Sequence, residues 1–342
     1  MSRVAVVLFN LGGPDTSAAV EPFLFNLFAD PAIIALPGLL RRLVARLIAH
    51  RRAPVARQIY ARLNHASPLL ANTEAQARAL EHALGDDAHA VIAMRYWHPL
   101  TEAEAAAVKA LAPDEIVLTP LYPQFSSTTT ASSLASWADA AAAAGLTQPT
   151  RAVCCYPTMT GFVEAVVRRI EAALAVWPPG MPRRILFSAH GLPQRIVERG
   201  DPYQWQVEAT AAAIRDRLPG DAGETVVCYQ SRVGPLKWLE PATDAEIRRA
   251  GADRVGLIVA PVAFVSEHSE TLVELDHDYG RLAAEAGVPR YVRVATVGDD
   301  AGFIAGLAEL VRGARASRRA IAPADGRRLC PRGFAHCPCE AE

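Results

Sequence analysis

Short, nearly unbroken apolar runs alternate with longer stretches of helical period along most of this chain. Val4–Leu8, Ala88–Met94, Glu115–Thr119, Thr150–Cys155, Arg184–Phe187, Thr225–Cys228, Val255–Val259 and Tyr291–Val294 read as strands. Runs that are apolar throughout predict strands covered on both faces, as in a parallel sheet. Between them Thr73–Leu84, Thr101–Leu111, Ser132–Ala144, Phe162–Val176, Trp205–Leu218 and Ser269–Ala286 read as helices. The alternation predicts an α/β protein. With 342 residues, two doubly wound halves with a cleft between them are expected.

A faint internal echo supports two halves. Val6–Pro14 runs strand, Asn, Leu, Gly-Gly-Pro, and Leu186–Pro193 runs strand, Ser-Ala-His, Gly-Leu-Pro. The segments after Pro120 and Pro261 both pass through a Phe into a Ser-rich helix start. All four loops follow strands, and in open α/β sheets ligands sit beyond the carboxyl ends of strands.

Composition narrows the function classes. A net charge of −1 gives no global reason to expect a nucleic-acid partner. No run approaches the roughly 18 apolar residues of a membrane span. The N-terminus enters a strand at once without the apolar stretch of a signal peptide, so a cytoplasmic protein is expected. Of the six cysteines, three crowd near the C-terminus at 330, 337 and 339, unlike a disulfide framework, which favours metal or cluster ligation.

The densest chemistry lies in Pro261–Asp276. On a helix starting near Ser266, Glu267, Glu270 and Glu274 would stack on one face at i, i+3 and i+7. No Lys or Arg occurs between Arg254 and Arg281, so a cation or proton from elsewhere must offset the repulsion. An oxygen-rich, His-adjacent set suits a divalent metal in transit, although a solvated acidic face gives the same pattern. His268 shares its helical face with Leu272 and Leu275, which fits a hydrogen-bonded histidine supporting the carboxylates. His190 ends a strand and is followed at once by Gly and Pro; there an imidazole can serve as base or ligand.

Arg95-Tyr96-Trp97 and the stretch from Gln230 to Trp238 place cations and aromatic rings at strand ends, as walls and carboxylate partners of a flat ligand require. Asn10-Leu-Gly-Gly-Pro14 lacks the spacing of a nucleotide-binding loop and has no Walker lysine. Between Asp30 and Glu74 lie seven arginines and no acid. Leu39, Leu40, Leu43, Val44, Leu47 and Ile48 form one helical face there, with Arg41, Arg42 and Arg46 on the other. Residues 38–52 thus fit peripheral contact with an anionic membrane, a cover over an apolar ligand, or ordinary packing on their own domain. The tail supplies Cys330, Cys337 and Cys339, one thiol short of the four that an iron–sulfur cluster or structural zinc takes. Cys154 or Cys155 at a strand end, ahead of Cys228, would complete the set.

In this order and spacing, Asn10-Leu-Gly-Gly-Pro14, Arg51-Arg-Ala-Pro54, Leu121-Tyr-Pro-Gln-Phe-Ser126, Ser188-Ala-His-Gly-Leu-Pro193, Gln230-Ser-Arg-Val-Gly234 and the Glu267–Asp276 run resemble the ferrochelatases, from about Val4 to Leu310. The resemblance implies a lyase that inserts Fe²⁺ into protoporphyrin IX with release of two protons, the last step of haem biosynthesis. It also implies a chelatase-like fold of two Rossmann-like domains with a porphyrin cleft between. Residues 1–149 with about 300–322 would form the first domain, 150–299 the second and 323–342 an extension, with 31–53 as a lip.

By the same resemblance, His190 takes pyrrole protons or receives the metal, Glu270 is its matching acid, and Glu274 continues a carboxylate path; His268 and Glu267 support them. Leu11, Arg95, Tyr96 and Trp238 match porphyrin-pocket positions, with Tyr60 and Ser67 near the entrance. The tail spacing is similar to that of certain bacterial members with a [2Fe–2S] cluster, which implies Cys330, Cys337, Cys339 and either Cys154 or Cys155 as ligands. Ser126 and Ser127 stand where animal members place a cluster cysteine, and Asn64-His-Ala-Ser67 replaces a glycine-rich stretch. Coproporphyrin as substrate, cobalt or nickel as metal, zinc in place of the cluster, and a haem or metal carrier stay open. Nothing in the pattern sets an oligomeric state.

Overall fold

A computed structural model of the chain describes residues 3–232, 234, 236–324 and 326–339. Nine strands are present among them: β1 Val4–Asn10, β2 Ala88–Met94, β3 Glu115–Pro120, β4 Thr150–Val153, β5 Arg183–His190, β6 Glu224–Gln230, β7 Gly256–Pro261, β8 Tyr291–Arg293 and β9 Ile321–Ala322. The chain divides into two compact units, Met1–Cys155 with Leu307–Arg327, and Tyr156–Gly306 with Arg328–Glu342.

The first unit holds a five-stranded sheet in the order β2-β1-β3-β4-β9, every pair parallel. Its helices are α1 Val20–Ala29, α2 Gly38–Ala61, α3 Leu69–Leu84, α4 Thr101–Leu111 and α5 Thr130–Ala144. β1 is buried at all seven positions, as its unbroken apolar run requires of a central strand. On one side Val7, Phe9, Val91, Val108, Leu118 and Trp137 form a core. Each such side chain contributes roughly 1.5–3 kcal/mol by leaving water.

The second unit holds a four-stranded parallel sheet in the order β6-β5-β7-β8. Around it lie α6 Thr160–Ala175, α7 Gln194–Glu198, α8 Tyr203–Arg215, α9 Thr243–Asp253, a π-helix at Glu270–Asp278 and α10 Tyr279–Glu285. The last helix, α11 Ala301–Ala316, begins in this unit and ends in the first. In both sheets the unit's first strand is central, with its second and third strands on either side and the fourth beyond. The internal echo in sequence is therefore matched by a repeated topology, with Asn10 and His190 each ending a central strand.

Two expectations need correction. The strand expected at Thr150–Cys155 ends at Val153, and the short β9 pairs with it from a stretch that shows no strand period. The helix expected at Ser269–Ala286 is a π-helix over its first half. Residues four apart still lie on one side of its wider i→i+5 turns, so Glu270 and Glu274 share one face as expected. Glu267 does not belong to that face. It precedes the helix and is held by Arg293 of β8, Nη1 to Oε1 2.5 Å, and by the backbone N–H of Thr296 at 2.9 Å.

Candidate functional site

Parallel pairing brings the second unit's candidate site residues to one sheet edge. β5 and β6 are in register from Arg184 with Glu224 to His190 with Gln230, so both strands finish at the same level. The chain then turns at Gly191, where a Cβ would lie 2.8 Å from the carbonyl oxygen of Gln230; only glycine allows that approach. Trp238 sits beside this turn through a bridge to Pro193. Ser231, directly after β6, has φ +61°, the left-handed region that costs a non-glycine residue about 1–2 kcal/mol. The strained backbone aims both its N–H and its hydroxyl at the π-helix.

His190 Nδ1 donates to Glu270 Oε2 at 2.8 Å. The carboxylate can only accept, so the proton sits on Nδ1 and Nε2 is the nitrogen left open. The side chain keeps 38 % of its surface exposed, enough for a ligand to reach that nitrogen. Tyr203 donates its hydroxyl to the His190 carbonyl at 2.9 Å and fixes the strand end. Ser231 Oγ lies 3.1 Å from Glu270 Oε2 and 2.5 Å from Glu274 Oε2. The Ser231 N–H donates to Glu274 Oε1 at 2.8 Å, Tyr279 adds its hydroxyl at 3.1 Å, and Gln230 Nε2 reaches Glu274 Oε2 at 3.3 Å. Ser188 holds Gln230 in turn at 2.8 Å.

These contacts split the two carboxyls. Burial favours the neutral form of Glu270, but the His190 charge and hydrogen bond, with help from His268 and Ser231, outweigh it and hold the group well below the usual carboxylate range. Glu274 goes the other way: burial and the Glu270 charge raise it, against the opposing Ser231 hydrogen bonds. For His190, burial alone would lower the imidazole; the Glu270 charge and hydrogen bond, then Glu274, override it and raise it above the ordinary value. Ser231 has one hydroxyl proton for two carboxyl groups. The arrangement is satisfied when Glu274 is protonated and donates to Oγ while Oγ donates to Glu270.

His268 is buried, accepts no place on the π-helix, and turns Nδ1 to the Ser266 carbonyl at 3.1 Å. Its Nε2 is 4.0 Å from Glu270 Oε1, so it acts on Glu270 through space. Glu267 is engaged by Arg293 and is not part of the His190–Glu270–Glu274 chain. Ser231, Tyr203, Tyr279 and Arg293 carried no role in the sequence reading. The motif Gln230-Ser-Arg was the available signal for Ser231, since it ends a strand; Arg293 had none. Val233 and Pro235 of that stretch lie outside the described residues.

In the first unit Tyr60 and Tyr96 belong to one apolar cluster with Phe23, Leu24 and Ala53, and Leu11 packs against it. Tyr96 is buried with its hydroxyl donated to Asp30 at 2.8 Å. Arg95 reaches Asp30 at 2.9 Å and donates Nε to Ser132 at 2.8 Å. Ser67 accompanies the Asn10–Pro14 loop: its N–H donates to the Pro14 carbonyl at 2.8 Å, and a Cβ on Gly13 would stand 2.5 Å from its hydroxyl. The glycines of that loop serve close packing.

Along α2, Leu39 is 85 % exposed and Leu43 67 %, with Leu40 and Leu47 about half exposed, so most of the expected apolar face is uncovered. Among the described residues no helix is long and apolar enough to cross a membrane.

All six cysteines are buried and none is in a disulfide. The tail is pinned by Arg328, which donates to the carbonyls of Cys330, Cys339, Pro331 and Phe334 at 2.7–3.1 Å. Gln206 donates Nε2 to Cys330 Sγ at 3.1 Å. Buried thiols with an N–H donor suit thiolate ligation in donor chemistry. Among the described residues, however, no three His, Cys, Asp or Glu side chains are gathered as a metal-holding group.

A family description, ferrochelatase, matches residues 3–315. Curated relatives called ferrochelatase include one from Phenylobacterium zucineum, 54 % identical over 98 % of this chain and 98 % of its own length. Another, from Caulobacter vibrioides, is 53 % identical over 98 % and 97 %, and one from Hyphomonas neptunium 50 % over 98 % and 94 %. Among solved structures, SirB from Bacillus subtilis covers 92 % of this chain and 96 % of its own, with TM-score 0.53 and 13 % identity, a likeness of fold alone. The agreement over nearly the whole chain decides the matter: this chain belongs to the ferrochelatase family.

Proposed function

We propose that this enzyme inserts Fe²⁺ into protoporphyrin IX, releasing two protons and forming protohaem, with His190 and the Glu270–Ser231–Glu274 chain handling the protons. The observation that carries this reading is the His190 Nδ1 bond to Glu270 at 2.8 Å, which leaves Nε2 open on a partly exposed ring. A porphyrin presents two pyrrole N–H groups that must leave as the metal enters. Neutral His190 accepts a pyrrole proton at Nε2 and becomes an imidazolium, which the ionised Glu270 stabilises. Ser231 and Glu274 continue the path once Glu274 has ionised: a proton that His190 passes to Glu270 Oε2 moves onto Ser231 Oγ as the hydroxyl's own proton moves to Glu274 Oε2, whose raised proton affinity suits it to receive one. Fe²⁺ is the substrate, and the same oxygens form a route along which it travels. Bending the macrocycle exposes its nitrogen lone pairs, and strain of roughly 1–5 kcal/mol is within reach of binding energy.

Leu11, Arg95, Tyr96, Tyr60, Ser67 and Trp238 are assigned to porphyrin recognition; the shared apolar cluster of Leu11, Tyr60 and Tyr96 supports this. The uncovered leucines of α2 beside arginines support peripheral contact of residues 38–52 with an anionic membrane, on the cytoplasmic side. The test is anaerobic Fe²⁺ insertion with protoporphyrin and coproporphyrin supplied separately. Faster metallation of protoporphyrin is expected; exclusive use of coproporphyrin overturns the substrate, and tight binding of both without metallation indicates a carrier.

A [2Fe–2S] cluster held by Cys330, Cys337, Cys339 and Cys154 or Cys155 is part of the same proposal, supported by the burial of these thiols outside any disulfide, the Arg328 pin and the Gln206 donor. Such a cluster would supply one-electron redox chemistry, and by the family resemblance its part would be structural or sensing. Anaerobically purified protein is expected to be brown, with visible charge-transfer absorption that Cys337→Ser abolishes. Colourless protein containing one zinc would refute it.

A further inference from the structure

Three side chains of the first unit, two directly after β2 and one on α5, converge on one buried carboxylate. Asp30, 3 % exposed, lies just past the end of α1. Its Oδ2 accepts from the Tyr96 hydroxyl at 2.8 Å, from Ser132 Oγ at 2.5 Å and from Arg95 Nη2 at 2.9 Å. Its Oδ1 accepts the Ala32 N–H at 2.8 Å, and its carbonyl accepts from Ile33 and Ile34, at 3.1 and 2.9 Å. Arg95 also lies over the Tyr96 ring, 5.0 Å from its centroid, and donates Nε to Ser132. Asp30 thus ties the end of β2, the start of α5 and the root of the 31–53 segment through one side chain.

A buried carboxylate with no partner is costly, so this one was built in with its donors complete. Arg95 keeps 21 % of its side chain exposed while one edge of its guanidinium is committed inward. A planar fork held on one edge presents the other in a fixed direction, which is how arginine recognises a carboxylate.

We infer that Asp30 is the positioning residue for porphyrin recognition: it orients Arg95 toward a propionate carboxylate of the substrate and locks the Tyr96 ring and the 31–53 segment beside it. This rests on the proposed role of Arg95 as a porphyrin contact. Asp30 itself touches no substrate. Its effect belongs in porphyrin affinity, not in the rate of the chemical step.

The test is a double-mutant cycle of Asp30→Asn and Arg95→Met, read by porphyrin Soret titration, by KM and kcat, and by thermal unfolding. Asparagine keeps the shape and one acceptor but removes the charge. Asp30→Asn is expected to weaken porphyrin binding about tenfold, with kcat changed less than about twofold. In the Arg95→Met background the same change is expected to have little further effect on binding. Equal losses in both backgrounds, or a fall in kcat and in melting temperature with unchanged KM, would reduce Asp30 to a structural role and overturn the proposal. Unchanged binding in Asp30→Asn alongside weakened binding in Arg95→Met overturns it as well. Normal binding in Arg95→Met overturns the reading of Arg95 itself, and the proposal with it.

Discussion

Single-turnover insertion of Fe²⁺ is expected to fall by about 10²–10⁴-fold in His190→Ala, the range that a positioned general base contributes. Glu270→Gln is expected to lose less, since Nε2 survives, but its pH profile changes in a defined direction. The Glu270 charge raises the His190 imidazole above its ordinary value, and in the proposed role of base His190 works only when neutral. The wild-type rate therefore climbs with pH through that raised value, and Glu270→Gln moves the climb to lower pH. Near wild-type rates in both variants, or an acid limb that stays put in Glu270→Gln, would remove the pair from the mechanism.

The same pair makes metal-free protein stability depend on pH. His190, raised on folding, contributes stability fully present below about pH 6.5 and lost as pH rises through the folded value. Glu270, lowered on folding, contributes stability present above about pH 4.3 and lost as pH falls through its folded value. Both contributions are full only between these limits. Glu274 opposes them, because a raised carboxyl costs stability once it ionises.

The second large effect lies behind the site. Arg293 of β8 is 8 % exposed and clasps the π-helix on both sides of its first turn: Nη1 on Glu267 before it, and Nε on Asp276 within it at 2.7 Å, with Nη2 on the other Asp276 oxygen. Burial alone would lower the proton affinity of the guanidinium; Asp276 and Glu267 reverse that, and Arg293 in turn holds Glu267 below the usual carboxylate range. Arg293→Met fills the space but strands Glu267 without its counter-charge, and breaking a buried pair from one side costs about 3–5 kcal/mol. Asp276 is 38 % exposed, so its share is screened by solvent and the lower end is expected. Urea unfolding of Arg293→Met should show a loss of about 3 kcal/mol, part of it recovered by adding Glu267→Gln. A loss below about 1 kcal/mol would mean that this is an ordinary surface pair.

The contrast between Glu267 and Glu270 shows where sequence reasoning stopped. Both are glutamates in one acidic run without a local cation, and helical spacing assigned them to one face. The π-helix starts after Glu267, and the opposing charge comes from Arg293, 26 residues away and beside the run only because β8 joins the sheet. The correct inference, that a cation or proton had to come from elsewhere, was electrostatic and local. Its identity was tertiary.

Local chemistry alone determined a good deal. Apolar runs without alternation can be buried only on both faces, so all eight expected strands appear in parallel sheets, and the Asn10/His190 echo became a shared strand order. A histidine before Gly and Pro at a strand end is presented at a sheet edge by chain geometry, and His190 is there. Tertiary structure decided what local signals cannot carry. The register of β5 on β6 set Gln230 and Ser231 beside His190; packing turned the Tyr96 hydroxyl and Arg95 onto Asp30; the pairing of β8 brought Arg293 to Glu267. Periodicity is a property of neighbours in sequence, whereas a proton path and its counter-charges are properties of neighbours in space.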